Sequence, residues 1–211
     1  MPTNDKTQAR YRRSLGPLLL EVFFIMLGVM VALAANEWRE NRALDKRTAA
    51  ALENIRLEIL RNQQTLQQRL PYHETLRDSL TSYLPELRNV SFQDVDGRRL
   101  GMSRGSFFII VYDAAWQTAL TSQTLPNVDF ETLTLLSNIY QFQAYLKTIE
   151  ERATSVMTPA NVQGENLYYA FILFRLSLMD IVELEQNLLS FYDAALQRLS
   201  PEEYVPAPPT D

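Results

Sequence analysis

The chain has 211 residues, of which 46% are hydrophobic and 10% aromatic, and a formal net charge of −5. That is enough apolar material for one membrane anchor and one domain of ordinary size. The acidic balance disfavours nucleic acid as a partner, the lack of cysteine excludes disulfides and thiolate metal sites, and having only six glycines disfavours a turn-rich all-β fold.

Residues 1–14 are polar and basic, a tail suited to contact with anionic lipid. Residues 15–35, LGPLLLEVFFIMLGVMVALAA, carry a single charge, Glu21. At about 1.5 Å per residue, a helix of this length spans roughly 30 Å, the thickness of a bilayer core. The stretch therefore reads as a transmembrane helix. A cleaved signal peptide is the rival reading, because Ala32-Leu33-Ala34 resembles a cleavage site. The length of the run, the carboxylate inside it and the helix-forming sequence beyond it favour an anchor.

A carboxylate in hydrocarbon usually faces protein or water, not lipid. Steps of four and three from Glu21 reach Ile25, Gly28, Ala32 and Ala35, which share one helical face. Gly28 and Ala32 form a small-xxx-small pair, which lets two membrane helices approach closely. The stripe is expected to be a helix contact within the membrane. The bland alternative is a Glu21 that reaches the headgroups from an ordinary anchor. Trp38 suits the membrane interface. Lys6, Arg10, Arg12 and Arg13 precede the span, and Arg39, Arg42, Lys46 and Arg47 follow it. This tie is broken by the closeness of Arg12 and Arg13 to the apolar run and by Glu37 on the far side. The N-terminus is then cytoplasmic and the domain periplasmic, with the span in a bacterial inner membrane.

Glu21, Gly28, Ala32, Leu33, Asn36 and Trp38 spell E-x6-G-x3-A-L-x2-N-x-W. This resembles the N-terminal motif of a bacterial family of single-span membrane proteins of unknown function. Members carry Gly just before the Glu, where this chain has Leu20. The region from Asp113-Ala-Ala-Trp116 to Tyr140 is also similar. The resemblance implies an anchored helical protein and brings no activity with it.

Residues 36–70 contain neither Gly nor Pro, and Leu52, Ile55, Ile59, Asn62 and Leu66 recur at three and four. This predicts a long amphipathic helix continuing from the anchor. Asn62 is either a register residue of a coiled coil or simply tolerated in a bundle. Pro71 is expected to break or kink the helix, with a shorter one over residues 76–87. Residues 89–112 read as the least helical part, with a turn at Asp94-Val-Asp96-Gly97 and a strand or buried extended run at residues 106–112. A short helix over residues 113–122 follows. A long one is capped by Asp129, with Val128 and Leu133 as a hydrophobic staple, and ends before Pro159. The last helix runs from about Glu165 to Leu199. Its seam is Leu167, Phe171, Phe174, Leu178, Ile181, Glu185, Leu188, Tyr192, Ala195 and Leu199, broken only by Glu185. Residues 167–182 are apolar nearly all round, but too short and too charged for a second span. Residues 201–211 form a Pro-rich acidic tail expected to be disordered. The fold class is mainly α: a transmembrane helix (15–35) leading into an antiparallel helical bundle (36–200) with one short non-helical insert.

Catalytic patterns are weak. His73 is the only histidine and reads as a solvent-facing or capping group, since one histidine cannot build a His₂ or His₃ metal site. Gly101-Met-Ser103-Arg-Gly105 matches G-x-S-x-G, yet the strand-like run follows it and His73 precedes it, the reverse of a nucleophile elbow. Asp94 and Asp96 lack the later Glu of a calcium loop. No cofactor, metal or catalytic residue is expected. The chain reads as a non-enzymatic single-pass protein acting through helix contacts, with other membrane subunits or with itself. The alternative is a periplasmic ligand- or stress-sensing bundle with Trp116, Tyr140, Tyr168 and Tyr169 around a pocket.

Overall fold

The computed structural model describes residues 15–106, 108, 111–158, 161–162 and 166–200. Both expected tails, 1–14 and 201–211, lie outside the described residues, as does much of the expected extended run at 106–112. The protein is mainly helical. In chain order come α1 (Leu15–Tyr83), two short 3₁₀ turns (Leu84–Asn89 and Phe92–Asp94), an extended stretch (Ser103–Ser106), α2 (Ala114–Thr121), α3 (Phe130–Val156) and α4 (Asn166–Arg198). Two units divide the chain, Met1–Lys46 and Arg47–Asp211.

In the first unit, residues 17–43 are all exposed. This part of α1 is long and apolar enough to cross a membrane, and no described residue of its own unit covers it. Near its end, Asn36 Nδ2 donates to Glu40 Oε1 at 2.7 Å, and the Arg42 guanidinium lies 5.3 Å over the Trp38 ring.

In the second unit α1 does not break at Pro71, contrary to the sequence expectation; the helix runs on to Tyr83. Proline has no N–H to give the carbonyl four residues back, a defect costing about 3 kcal/mol in a helix interior. Burial on either side offsets it: Leu66, Arg69, His73, Leu76 and Leu80 are fully buried, so the turns before and after Pro71 are both fixed in the core. The helix ends where Pro85 enters the first turn of the 3₁₀ segment.

One core takes side chains from α1, α2, α3 and α4. Leu52, Ile55, Ile59 and Leu66 of α1 are buried. So is every position of the α4 heptad: Leu167, Phe171, Phe174, Leu178, Ile181, Glu185, Leu188, Tyr192, Ala195 and Leu199. Gln63 Nε2 donates to Asp193 Oδ1, Gln186 Nε2 to Glu74 Oε1, and Gln143 Nε2 to the Tyr192 hydroxyl.

Asp129 caps α3, its Oδ1 accepting from the Thr132 N–H at 2.9 Å. The same oxygen takes Arg198 Nη2 at 2.7 Å. Partial burial pushes the Asp129 carboxyl up, but the Thr132 and Arg198 hydrogen bonds outweigh it and hold it below its ordinary value. The sign follows: this stabilisation is complete above the unfolded carboxyl value and is lost as pH falls through the lower folded one. Asp129→Ala is expected to cost about 1 kcal/mol at neutral pH, with the gap to wild type closing in acid. Urea melts at neutral and acid pH check this; a gap independent of pH would sink it.

Candidate functional site

The expected membrane stripe lies wholly on exposed surface. Glu21, Ile25, Gly28, Ala32 and Ala35 are all exposed, and a methyl added at Gly28 would meet nothing within 4 Å. Trp38 is exposed beneath the Arg42 guanidinium.

The second unit holds a buried ionic cluster that sequence reasoning did not find. Arg69 is fully buried; its Nε lies 2.5 Å from Glu185 Oε1 and its Nη2 2.9 Å from Glu150 Oε1. His73 Nδ1 is 3.0 and 3.1 Å from the two Glu185 oxygens. An ionised carboxylate only accepts, so Nδ1 carries the proton. His73 is therefore neither solvent-facing nor a cap, as its sequence context suggested: it is fully buried, with Phe108 edge-on at 5.5 Å. Glu185 is not a break in the seam but the centre of this cluster. Two carboxylates, Glu150 and Glu185, share the Arg69 guanidinium. Burial pushes the Glu150 carboxyl above its ordinary value, Arg69 pulls it down and Glu185 pushes it further up.

Arg69, His73 and Glu185 have no exposed side-chain surface. The cluster ties side chains of α1, α3 and α4 together out of contact with solvent. Removing any one partner leaves an uncompensated buried charge or donor, so alternative registers are penalised. Only Glu150, its side chain 13% exposed, reaches a cavity of about 760 Å³ also lined by Phe108, Val111, Asp113, Tyr140, Gln143 and Lys147. Of the four aromatics expected around a pocket, Tyr140 alone lines this one. Trp116 is stacked on Tyr140 with centroids 5.1 Å apart, Tyr168 lies under Arg88 and Tyr169 is exposed.

A second arrangement straps the connector between Ser103 and Thr124 along α1. The Tyr72 hydroxyl donates to the Gly105 carbonyl and accepts from the Arg104 N–H. Asn62, fully buried, donates to the Tyr112 carbonyl at 2.7 Å and accepts its N–H at 2.8 Å. Glu58 accepts from the Ala115 and Trp116 N–H groups at the start of α2 and from the Tyr140 hydroxyl. It thereby supplies the cap that Asp113 does not. Thr48 donates to the Thr124 carbonyl. As α1 is read backwards through residues 72, 62, 58 and 48, the connector is read forwards. Burial, with Glu58 alongside, holds the Tyr140 phenol protonated well above its ordinary range. Gly101 has φ +74°, and a Cβ there would lie 3.1 Å from Ser79 Oγ. A backbone turn against α1 thus accounts for a glycine of the G-x-S-x-G match.

Among the described residues no three His, Asp or Glu side chains are grouped to hold a metal ion. No known protein family, curated protein or solved structure matches this chain.

Proposed function

We propose that this is a non-enzymatic single-pass membrane protein that acts through helix contacts, as an accessory subunit of a membrane complex or as a self-assembling scaffold. The observation that carries this reading is the apolar part of α1, whose large side chains from Leu18 to Leu33 are 45–67% exposed. So large an uncovered apolar surface calls for lipid, and the carboxylate of Glu21 within it calls for a polar partner or water. Glu21, Gly28 and Ala32 on one face favour a neighbouring helix. Trp38 under Arg42 suits the headgroup layer, where an aromatic ring and a cation are both solvated. The inner-membrane placement, with the N-terminus cytoplasmic and the domain periplasmic, belongs to this proposal, as does membership of the family that the E-x6-G-x3-A-L-x2-N-x-W motif resembles.

The packed helices of residues 47–200 are read as an antiparallel bundle with one short non-helical insert. Support comes from the order of the cross-links. Residues 63 and 69 of α1 meet 193 and 185 of α4, in falling order, whereas residues 58 and 69 of α1 meet 140 and 150 of α3, in rising order.

Gly28→Ile is expected to abolish assembly while membrane insertion persists, because a β-branched side chain holds the stripe apart from its neighbour. Particle mass in mild detergent, beside carbonate extraction of membranes, reads both. The cavity beside Glu150 favours a second reading, a ligand- or stress-sensing bundle. Unchanged assembly in Gly28→Ile would leave that reading the stronger.

A further inference from the structure

We infer that the cavity beside Glu150 binds a small organic cation, an ammonium group on a short apolar stem. The inference deepens the ligand-binding reading of this cavity and rests on it; it is independent of the anchor stripe. The cavity, of about 760 Å³, lies between α3 and the connector, within the size range of small-ligand sites. Gln143 lines it and is only 4% exposed. Its Nε2 donates to the Tyr192 hydroxyl at 2.8 Å, and among the described residues its Oε1 has no donor. A buried amide oxygen left without a donor is costly, so a ligand that brings an N–H recovers that loss. Two turns further along α3, Glu150 Oε1 lies 2.9 Å from Arg69 Nη2, without the alignment of a hydrogen bond.

The charge of the walls selects a cation. Asp113, Glu150 and Glu151 line the cavity against one base, Lys147, and the Arg69 behind Glu150 is shared with Glu185. An anion would meet three carboxylates. A metal ion needs several oxygen ligands on one point, and no such group stands among the described residues. Acids spread along a wall suit an organic cation instead. The rest of the wall is apolar. Phe108 and Val111 pack against the core, and Tyr140 already donates its hydroxyl to Glu58, so these three offer a stem apolar surface. Aromatic side chains attract cations as well as apolar groups. Lys147 and Glu151 are both exposed, so either charge can be altered without touching the core.

Trp116, stacked on Tyr140 with centroids 5.1 Å apart, reports occupancy. The chain has two tryptophans, so Trp38→Phe leaves Trp116 as the single emitter. The full-length Trp38→Phe protein in mild detergent should show a saturable change in Trp116 emission with 2-phenylethylamine, and none with 2-phenylethanol or 3-phenylpropionate. The alcohol enters micelles more readily than the ammonium form, so it controls for partitioning. Glu151→Gln should weaken the amine about two- to fivefold, and Lys147→Met should tighten it about as much. Gln143→Leu should weaken it about tenfold or more. That variant also takes a partner from Tyr192, so the two exposed variants carry the test if it folds poorly. An amine that gives no saturable change, or whose affinity ignores both exposed variants, overturns the inference. Saturation by the carboxylate or the alcohol instead sinks the cation and leaves a ligand-binding cavity standing. Silence from all three ligands overturns the inference and counts against the ligand-binding reading as well.

Discussion

Arg69→Ala is expected to destabilise the protein by about 3–5 kcal/mol, the largest single-residue effect in the chain. Arg69 is fully buried between two carboxylates, at 2.5 Å from Glu185 and 2.9 Å from Glu150. Its loss leaves Glu185 buried with only the His73 N–H, and leaves a void at the meeting of three helices. Much of the penalty comes from the charge left behind and little from the worth of the pair, because a buried ion pair roughly breaks even against its own desolvation. A sharper form follows. Arg69→Met with Glu185→Gln removes both charges, keeps an acceptor for His73 Nδ1 and fills part of the void. The double variant should lose less than Arg69→Ala alone. Urea unfolding of the detergent-solubilised protein, followed by circular dichroism, reads both. A loss below 1 kcal/mol for Arg69→Ala, or a double variant worse than the single, would show that the cluster does not behave as a closed, water-free unit.

This cluster also shows where sequence reading stops. The α4 heptad was legible because each of its contacts needs only an apolar side chain at a fixed spacing, and spacing is local. Glu185 looked like the one fault in that pattern because its partners lie 116 and 112 residues away in sequence, and no local rule reports them. His73 was misplaced for the same reason: a lone histidine has no spacing to read, and its burial is set by α4. A buried Arg69 was no more visible, since an arginine following Gln67 and Gln68 reads as a solvated face. At Pro71 a sound local rule was overruled by packing on both sides of the missing hydrogen bond. The apolar anchor was plain from composition, and Asp129 was readable as a cap because a cap acts within three residues. Asn62 stood out as a polar residue in a seam, yet what it binds is a backbone fifty residues away.

That backbone contact sets the second large effect. Asn62→Leu is expected to cost about 2 kcal/mol, because a buried amide that serves both an N–H and a C=O is replaced by a side chain that serves neither. Tyr112 is half exposed, so its freed backbone groups regain water only if the connector lifts from α1, and lifting exposes the Val111 side chain packed against the core. The loss should therefore be local before it is global. Amide exchange should quicken through residues 111–116 while the middle of α4 around Leu188 keeps its protection. Asn62→Asp separates the two halves of the clamp. It keeps the acceptor for the Tyr112 N–H at 2.8 Å but sets a carboxylate against the Tyr112 carbonyl, where the amide donated at 2.7 Å. Repulsion between two acceptors in a buried position makes this variant at least as unstable as Asn62→Leu at neutral pH, with recovery in acid as the carboxyl gains a proton and donates again. Uniform exchange across residues 111–116 and the middle of α4, or an Asp variant indifferent to pH, would mean that the connector is held by Tyr72, Glu58 and Thr48 without need of Asn62.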